Sequence, residues 1–233
     1  MVEKFLSNKN INLWEQLSEY YKIEIIPSDK KNYENKLDNS IALIYYDENN
    51  ISEESFTIQL LELELKIRSF YIKKDIISEI EFFPKLNKIL PLNLLEHIGK
   101  KLDNIKVYQR FVKMKYDPTL FSEDYLKYKI TNYQMEYLEE NYIINNKINK
   151  NLVSVFIEYL VNIFTDINTN NDYHLYYIRF NILDGDLYEA VARLIVDTTN
   201  YDIQNADLIS DQYKITSKFY KRLSDWYKEI NFN

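Results

Sequence analysis

The sequence predicts a mainly helical α+β fold: a small N-terminal β-sheet near residues 22–46, packed on a bundle of helices. Three observations carry this expectation. The runs Ile23, Ile25, Ile26 before Pro27 and then Ile41–Tyr46 are short, β-branched or aromatic, and so strand-like. Beyond Pro84 the apolar residues recur at helical spacing nearly throughout. With 46% apolar and 15% aromatic residues in 233, the chain has material for one large core or two small ones. No repeat, heptad array, low-complexity tract or Pro/Gly linker interrupts it, so a single domain over 1–233 is the simplest parse. A polar, Asn-rich stretch at 142–150 is the one soft division.

In chain order, Leu13, Trp14, Leu17 and Tyr20 or Tyr21 share a helical face and predict a first helix over 11–21. The two strands come next. Asp47, Glu48, Asn49 and Asn50 read as a turn, and Ser52, Glu54 and Ser55 offer N-caps for the next element. Over 55–70, Leu61, Leu63, Leu65 and Ile67 alternate with polar residues as a strand would, yet the Leu, Glu and Lys content favours a helix. As a helix it aligns Ser55, Gln59, Glu62, Lys66 and Ser69 on one polar stripe, so it is expected to cross the core and show that edge to a cleft or solvent. Further helices are expected at about 92–104, 106–115 and 119–129, the last after an Asp117-Pro118 turn. The segment 152–164 is apolar nearly all round and reads as a buried central helix. Leu187, Ala190, Val191, Leu194 and Ile195 form a stripe after the Asp184-Gly185-Asp186 turn, and Ile215, Phe219, Leu223, Trp226 and Ile230 form another near the C-terminus.

Composition removes most catalytic classes. The chain has no cysteine, two histidines (His97 and His174) and two glycines (Gly99 and Gly185). A thiolate nucleophile and a closed zinc site of Cys and His ligands therefore cannot be built. Phosphate-cradling loops need several glycines and are excluded too. A net charge of −7 opposes binding to nucleic acid. The segment 152–164, broken by Glu158 and Asn162, falls short of the ~20 apolar residues of a membrane span, and the first ten residues do not read as a signal peptide. Neither nucleic acid nor membrane is expected as a partner, and cytoplasm is the default location. The 22 tyrosines, with the Ile, Asn and Lys richness, reflect the codon bias of an AT-rich genome rather than a binding surface.

One constellation stands out. A strand ending in Ile44, Tyr45 and Tyr46 is followed by a polar turn and then by Ser55-Phe56-Thr57-Ile58-Gln59-Leu60-Leu61-Glu62. This order resembles a group of small bacterial zinc metallopeptidases of the zincin type, in which Ser-Phe-Thr precedes His-Glu-Leu-Leu-His. The stretch Asn93 to His97, then Phe111, Tyr116-Asp117-Pro118, Phe121 and Asp124-Tyr125, looks like the second helix of that family and the segment after it. The active motif needs two His one turn apart to hold zinc and the intervening Glu as general base. Here the ligand positions are Ile58 and Glu62, and the base position is Gln59, an amide. The resemblance, over about 40–125, therefore implies a zincin-like fold with a degenerate motif, no metal, no cofactor and no catalysis.

Glu62, Glu96 and His97 could in principle form an unconventional metal set. Neighbours such as 96 and 97 point in different directions on a helix, however, and Glu62 can instead face Lys66, while His97 can simply make a hydrogen bond. His174 reads as a loop or helix-start residue, and Asp184 with Asp186 as a turn and N-cap rather than a catalytic carboxylate pair. No Ser stands in a Gly-flanked nucleophile elbow. Lys214, Lys218, Lys221, Arg222 and Lys228 lie opposite the C-terminal apolar stripe and read as its solvated face. The leading functional expectation is a non-catalytic binding or scaffolding protein with an unidentified protein partner. The alternative is an acidic interaction protein, such as an immunity or antitoxin partner of a basic toxin.

Overall fold

The two β-branched runs form strands and pair. In the computed structural model, which describes residues 4–28, 34–38, 40–47, 52–67, 71–201 and 209–230, β1 (Lys22–Pro27) and β3 (Ile41–Tyr46) are parallel, Lys22 opposite Ile41. A third strand that the sequence did not announce, β2 (Glu34–Asp38), lies antiparallel to β3, giving the order β1-β3-β2. Its Asn and Lys content hid it. In the central strand Ala42, Ile44 and Tyr46 are buried and alternate with half-buried residues, the two-residue period of a pleated strand. The turn residues Glu48, Asn49 and Asn50, with Ser69 and Phe70, lie outside the described residues.

Among the described residues the protein is mainly helical, with nine α-helices. It divides into two compact units, Met1–Tyr71 with Lys106–Leu126, and Ile72–Ile105 with Lys127–Asn233. The first holds α1 (Ile11–Tyr20), the three-stranded sheet and α2 (Glu53–Ile67), with α1 against β1 and α2 against β2. The 55–70 segment is thus a helix from Glu53. Ser52 caps it, its hydroxyl accepting from Ser55 N–H at 3.1 Å. Phe56 packs against Phe5 and Trp14 at ring distances of 5.3 and 6.0 Å, closing the core of this unit over α1.

Three expected elements are corrected. The helices expected at 92–104 and 106–115 are one continuous helix, α4 (Leu92–Lys113). Within it the buried Asp103 caps α3 (Ile72–Glu79), accepting from Ile72 N–H at 2.9 Å. The helix expected at 119–129 does not form. Asp117 caps a single 3₁₀ turn, Pro118–Leu120, and Phe121 then inserts edge-on against Tyr108 and Phe111 of α4 at 5.2 and 5.5 Å. Side-chain bonding of Ser122 to Asp124 competes with helical continuation there. α4 itself ends in a Schellman motif. Lys115 takes φ 64°, Tyr116 N–H bonds Phe111 C=O at 3.4 Å, and the two rings stack at 4.8 Å.

The second unit contains α3, the first part of α4, α5 (Asn132–Tyr142), α6 (Lys150–Phe164), α7 (His174–Leu183), α8 (Gly185–Asn200) and α9 (Ile209–Glu229). As expected, α6 is central, with Val153, Phe156, Ile157, Leu160 and Val161 fully buried against α5 and α8. The apolar stripes of α8 and α9 are buried, and Lys214, Lys218, Lys221 and Lys228 are exposed. Between α5 and α6 the Asn-rich stretch folds into a hairpin of β4 (Ile143–Ile144) and β5 (Lys147–Ile148). Its turn residues Asn145 and Asn146 have φ 52° and 61°, the two positive angles of a type I′ turn.

Candidate functional site

Helix α2 carries the positions singled out by the motif, so the site is built from it. Ile58 is half-buried and offers no ligating atom. Gln59 is buried, and its Oε1 accepts from Asn35 Nδ2 at 2.9 Å. Glu62, one turn on, accepts from the same nitrogen through Oε2 at 2.9 Å. Lys66 continues the stripe and donates to Asn35 C=O at 2.8 Å and to Asn35 Oδ1. Gln59, Glu62 and Lys66 therefore converge on one side chain of β2. The stripe faces the sheet rather than a cleft, because a strand with a polar inward residue covers it.

At the start of α2 a second network forms. Glu53 Oε1 accepts from Tyr116 OH and from Ser7 Oγ, both at 2.6 Å. Thr57 Oγ1 lies 3.0 Å from the Tyr116 hydroxyl and accepts from Asn10 Nδ2 at 2.9 Å. Burial raises the Glu53 carboxyl, but the Ser7 and Tyr116 hydrogen bonds and the charge of Lys9 outweigh it and hold it below its ordinary value. Burial first, and then the Glu53 carboxylate, push the Tyr116 phenol up to about 12. Tyr116 is thus a neutral donor that ties the segment after α4 to α2. On the opposite side of α2, Gln16, Leu17, Tyr20, Tyr21, Glu64 and Ile67 line a cavity of about 420 Å³. Glu64 at its wall is buried and pairs with Arg110 at 3.2 Å.

The remaining motif residues belong to the second unit and have partners within it. Glu96 is exposed and lies 3.7 Å from Lys73. His97 Nε2 lies 2.9 Å from Asn162 Oδ1. Successive residues on α4 thus serve different neighbours, as helical geometry requires. A zinc ion of the kind an intact zincin motif holds does not fit these side chains. One motif position has no donor atom, and the other two already accept from an amide. Among the described residues no three His, Asp or Glu side chains form a metal-ligating group.

The chain matches no family model, no curated protein and no solved structure. The zincin resemblance rests on the residues of this chain alone.

His174 opens α7, and Asp184 caps α8, accepting from Leu187 N–H at 3.0 Å. Asp184 also accepts from Tyr142 OH at 2.8 Å and Trp226 Nε1 at 3.1 Å, and so ties the end of α5 and α9 to the start of α8. Beside it Asp186, Glu189, Asp225 and Glu229 surround Trp226 and Arg222 in a groove of about 330 Å³ between α8 and α9. Among the described residues no helix is long and apolar enough to cross a membrane. Asn35 and Arg110 were invisible to sequence reasoning, and Tyr116 entered only as part of the stretch that resembles the family. Only the distant partner of each gives it meaning.

Proposed function

We propose that the protein is a non-catalytic binding or scaffolding protein, with α2 occupying the place of a zincin motif helix whose chemistry has been replaced by internal hydrogen bonding. The observation that carries this reading is the Asn35 amide donated to both Gln59 and Glu62. A general base must be open to a water and a ligand carboxylate open to a metal. In this chain the corresponding positions hold a sheet strand against a helix.

The test is the metal content of protein purified without chelator, measured by elemental mass spectrometry beside an Ile58→His, Gln59→Glu, Glu62→His triple variant. The expected result is a metal-free native chain and about one zinc per chain in the variant. Stoichiometric metal in the native protein overturns the non-catalytic reading. A variant that folds but takes up no zinc overturns the zincin ancestry. A second reading, an acidic protein that engages a basic partner, is favoured by the net charge of −7; in the α8–α9 groove Asp186, Glu189, Asp225 and Glu229 face Arg222, and Glu189 and Asp225 pair with Arg193 and Lys228.

A further inference from the structure

Within the first unit, the cavity on the far side of α2 shares no residue with the motif positions. It forms where the last turns of two helices meet: Gln16, Leu17 and Tyr20 of α1, the capping residue Tyr21, and Glu64 and Ile67 of α2. Gln16 and Tyr20 stand one turn apart and so present to the same side, as do Glu64 and Ile67. The volume of about 420 Å³ is that of a ligand pocket rather than a packing fault.

The lining has one electrical sign. Glu64, at 4% exposure, is the one charged residue among the described residues that line the cavity, and Arg110, 3.2 Å from it, is not among them. Helix α1 ends here and carries no basic residue in its last turn to offset the negative end of its dipole. Tyr20 and Tyr21 add two phenol rings, whose faces are also negative. The described lysines next to these segments are engaged elsewhere: Lys22 pairs with Glu24 at 2.5 Å, and Lys66 donates to Asn35 C=O at 2.8 Å.

We propose that this cavity binds a small organic cation through a quaternary ammonium head group. The lining distinguishes that head from a primary amine. A primary ammonium is strongly hydrated and brings three N–H donors that must find acceptors, whereas the carboxylate here is already shared with Arg110. A quaternary ammonium has no N–H to leave unpaired. Its methyl groups suit Leu17 and Ile67, and its charge suits the phenol faces and the end of α1. Tyr20, at 73% exposure, supplies an open ring at the mouth.

Choline is the probe, beside its uncharged isostere in which a tert-butyl group replaces the trimethylammonium. Each is titrated into the isotope-labelled full chain and followed by amide chemical shifts. The expected result is saturable shifts at Gln16, Tyr20, Tyr21 and Ile67, with a choline Kd on the order of 1 mM and at least ~10-fold weaker binding of the alcohol. Tyr20→Ala is expected to raise the choline Kd about 3–10-fold with unchanged circular dichroism, and Tyr20→Phe, which keeps the ring face, to bind as the native chain does. No saturable shift up to ~50 mM choline overturns the proposal. Equal binding of the alcohol overturns it too, because the cavity is then indifferent to charge. So does choline binding that Tyr20→Ala leaves unchanged, which places the contact elsewhere.

Discussion

Glu79 ends α3 at 2% exposure, and its Oε2 has no hydrogen-bond partner among the described residues. Burial raises its carboxyl above the ordinary value and Asp75 adds to the rise, while the hydroxyls of Thr216 and Ser217 on α9 offset part of it. The Thr216 hydroxyl also donates to Tyr213 C=O at 3.0 Å, so its single proton is shared. A carboxyl that holds its proton more tightly when folded costs stability above its folded pKa. That cost disappears as pH falls through the folded pKa towards the unfolded one. Glu79→Gln is therefore expected to stabilise the protein by about 1 kcal/mol near pH 8, and the gain should shrink towards pH 5. Urea unfolding of both proteins across that range checks it, and a gain that grows on acidification would contradict the assignment. Sequence alone marked Gln59 and Glu62 as polar on an apolar helix. It could not name Asn35 as their partner, because that residue lies on a separate strand with no periodic relation to them.

Helices α3 and α4 approach each other closely at Gly99. A Cβ added there would lie 2.5 Å from Lys73 Cα and 2.7 Å from its Cβ. Backbone cannot retreat as a flexible side chain can, so Gly99→Ala is expected to destabilise the protein by about 2 kcal/mol despite the better helix propensity of Ala. Chemical denaturation measures this, and a neutral or stabilising result would mean that α3 can shift at no cost. What Gly99 makes room for is α3, a two-turn helix that sequence analysis passed over although Ile72 and Ile76 lie one turn apart and are both buried. The continuity of α4 through 104–106 was also misread, and Asp103 within it caps the neighbouring α3.

Across the whole molecule, the charge of −7 and the α8–α9 groove make one prediction. A fluorescent Lys/Arg-rich peptide is expected to bind at low salt and to weaken steeply as ionic strength rises towards ~0.5 M. The Asp186→Asn, Glu189→Gln, Asp225→Asn, Glu229→Gln variant should bind about ten-fold more weakly. Anisotropy titration decides, and equal binding by native and variant chains removes the acidic-partner reading. Sequence by itself determined the features set by local periodicity and chain chemistry: the mainly helical class, β1 and β3, the buried α6, the stripes of α8 and α9, and the Asp184 cap. Only tertiary structure decided which polar groups satisfy one another, as Asn35 does Gln59 and Tyr116 does Glu53. It alone decided that Leu175, Ile178 and Ile182 face solvent. A helix repeats its own pattern every turn, but which face is covered depends on neighbours supplied from elsewhere in the chain.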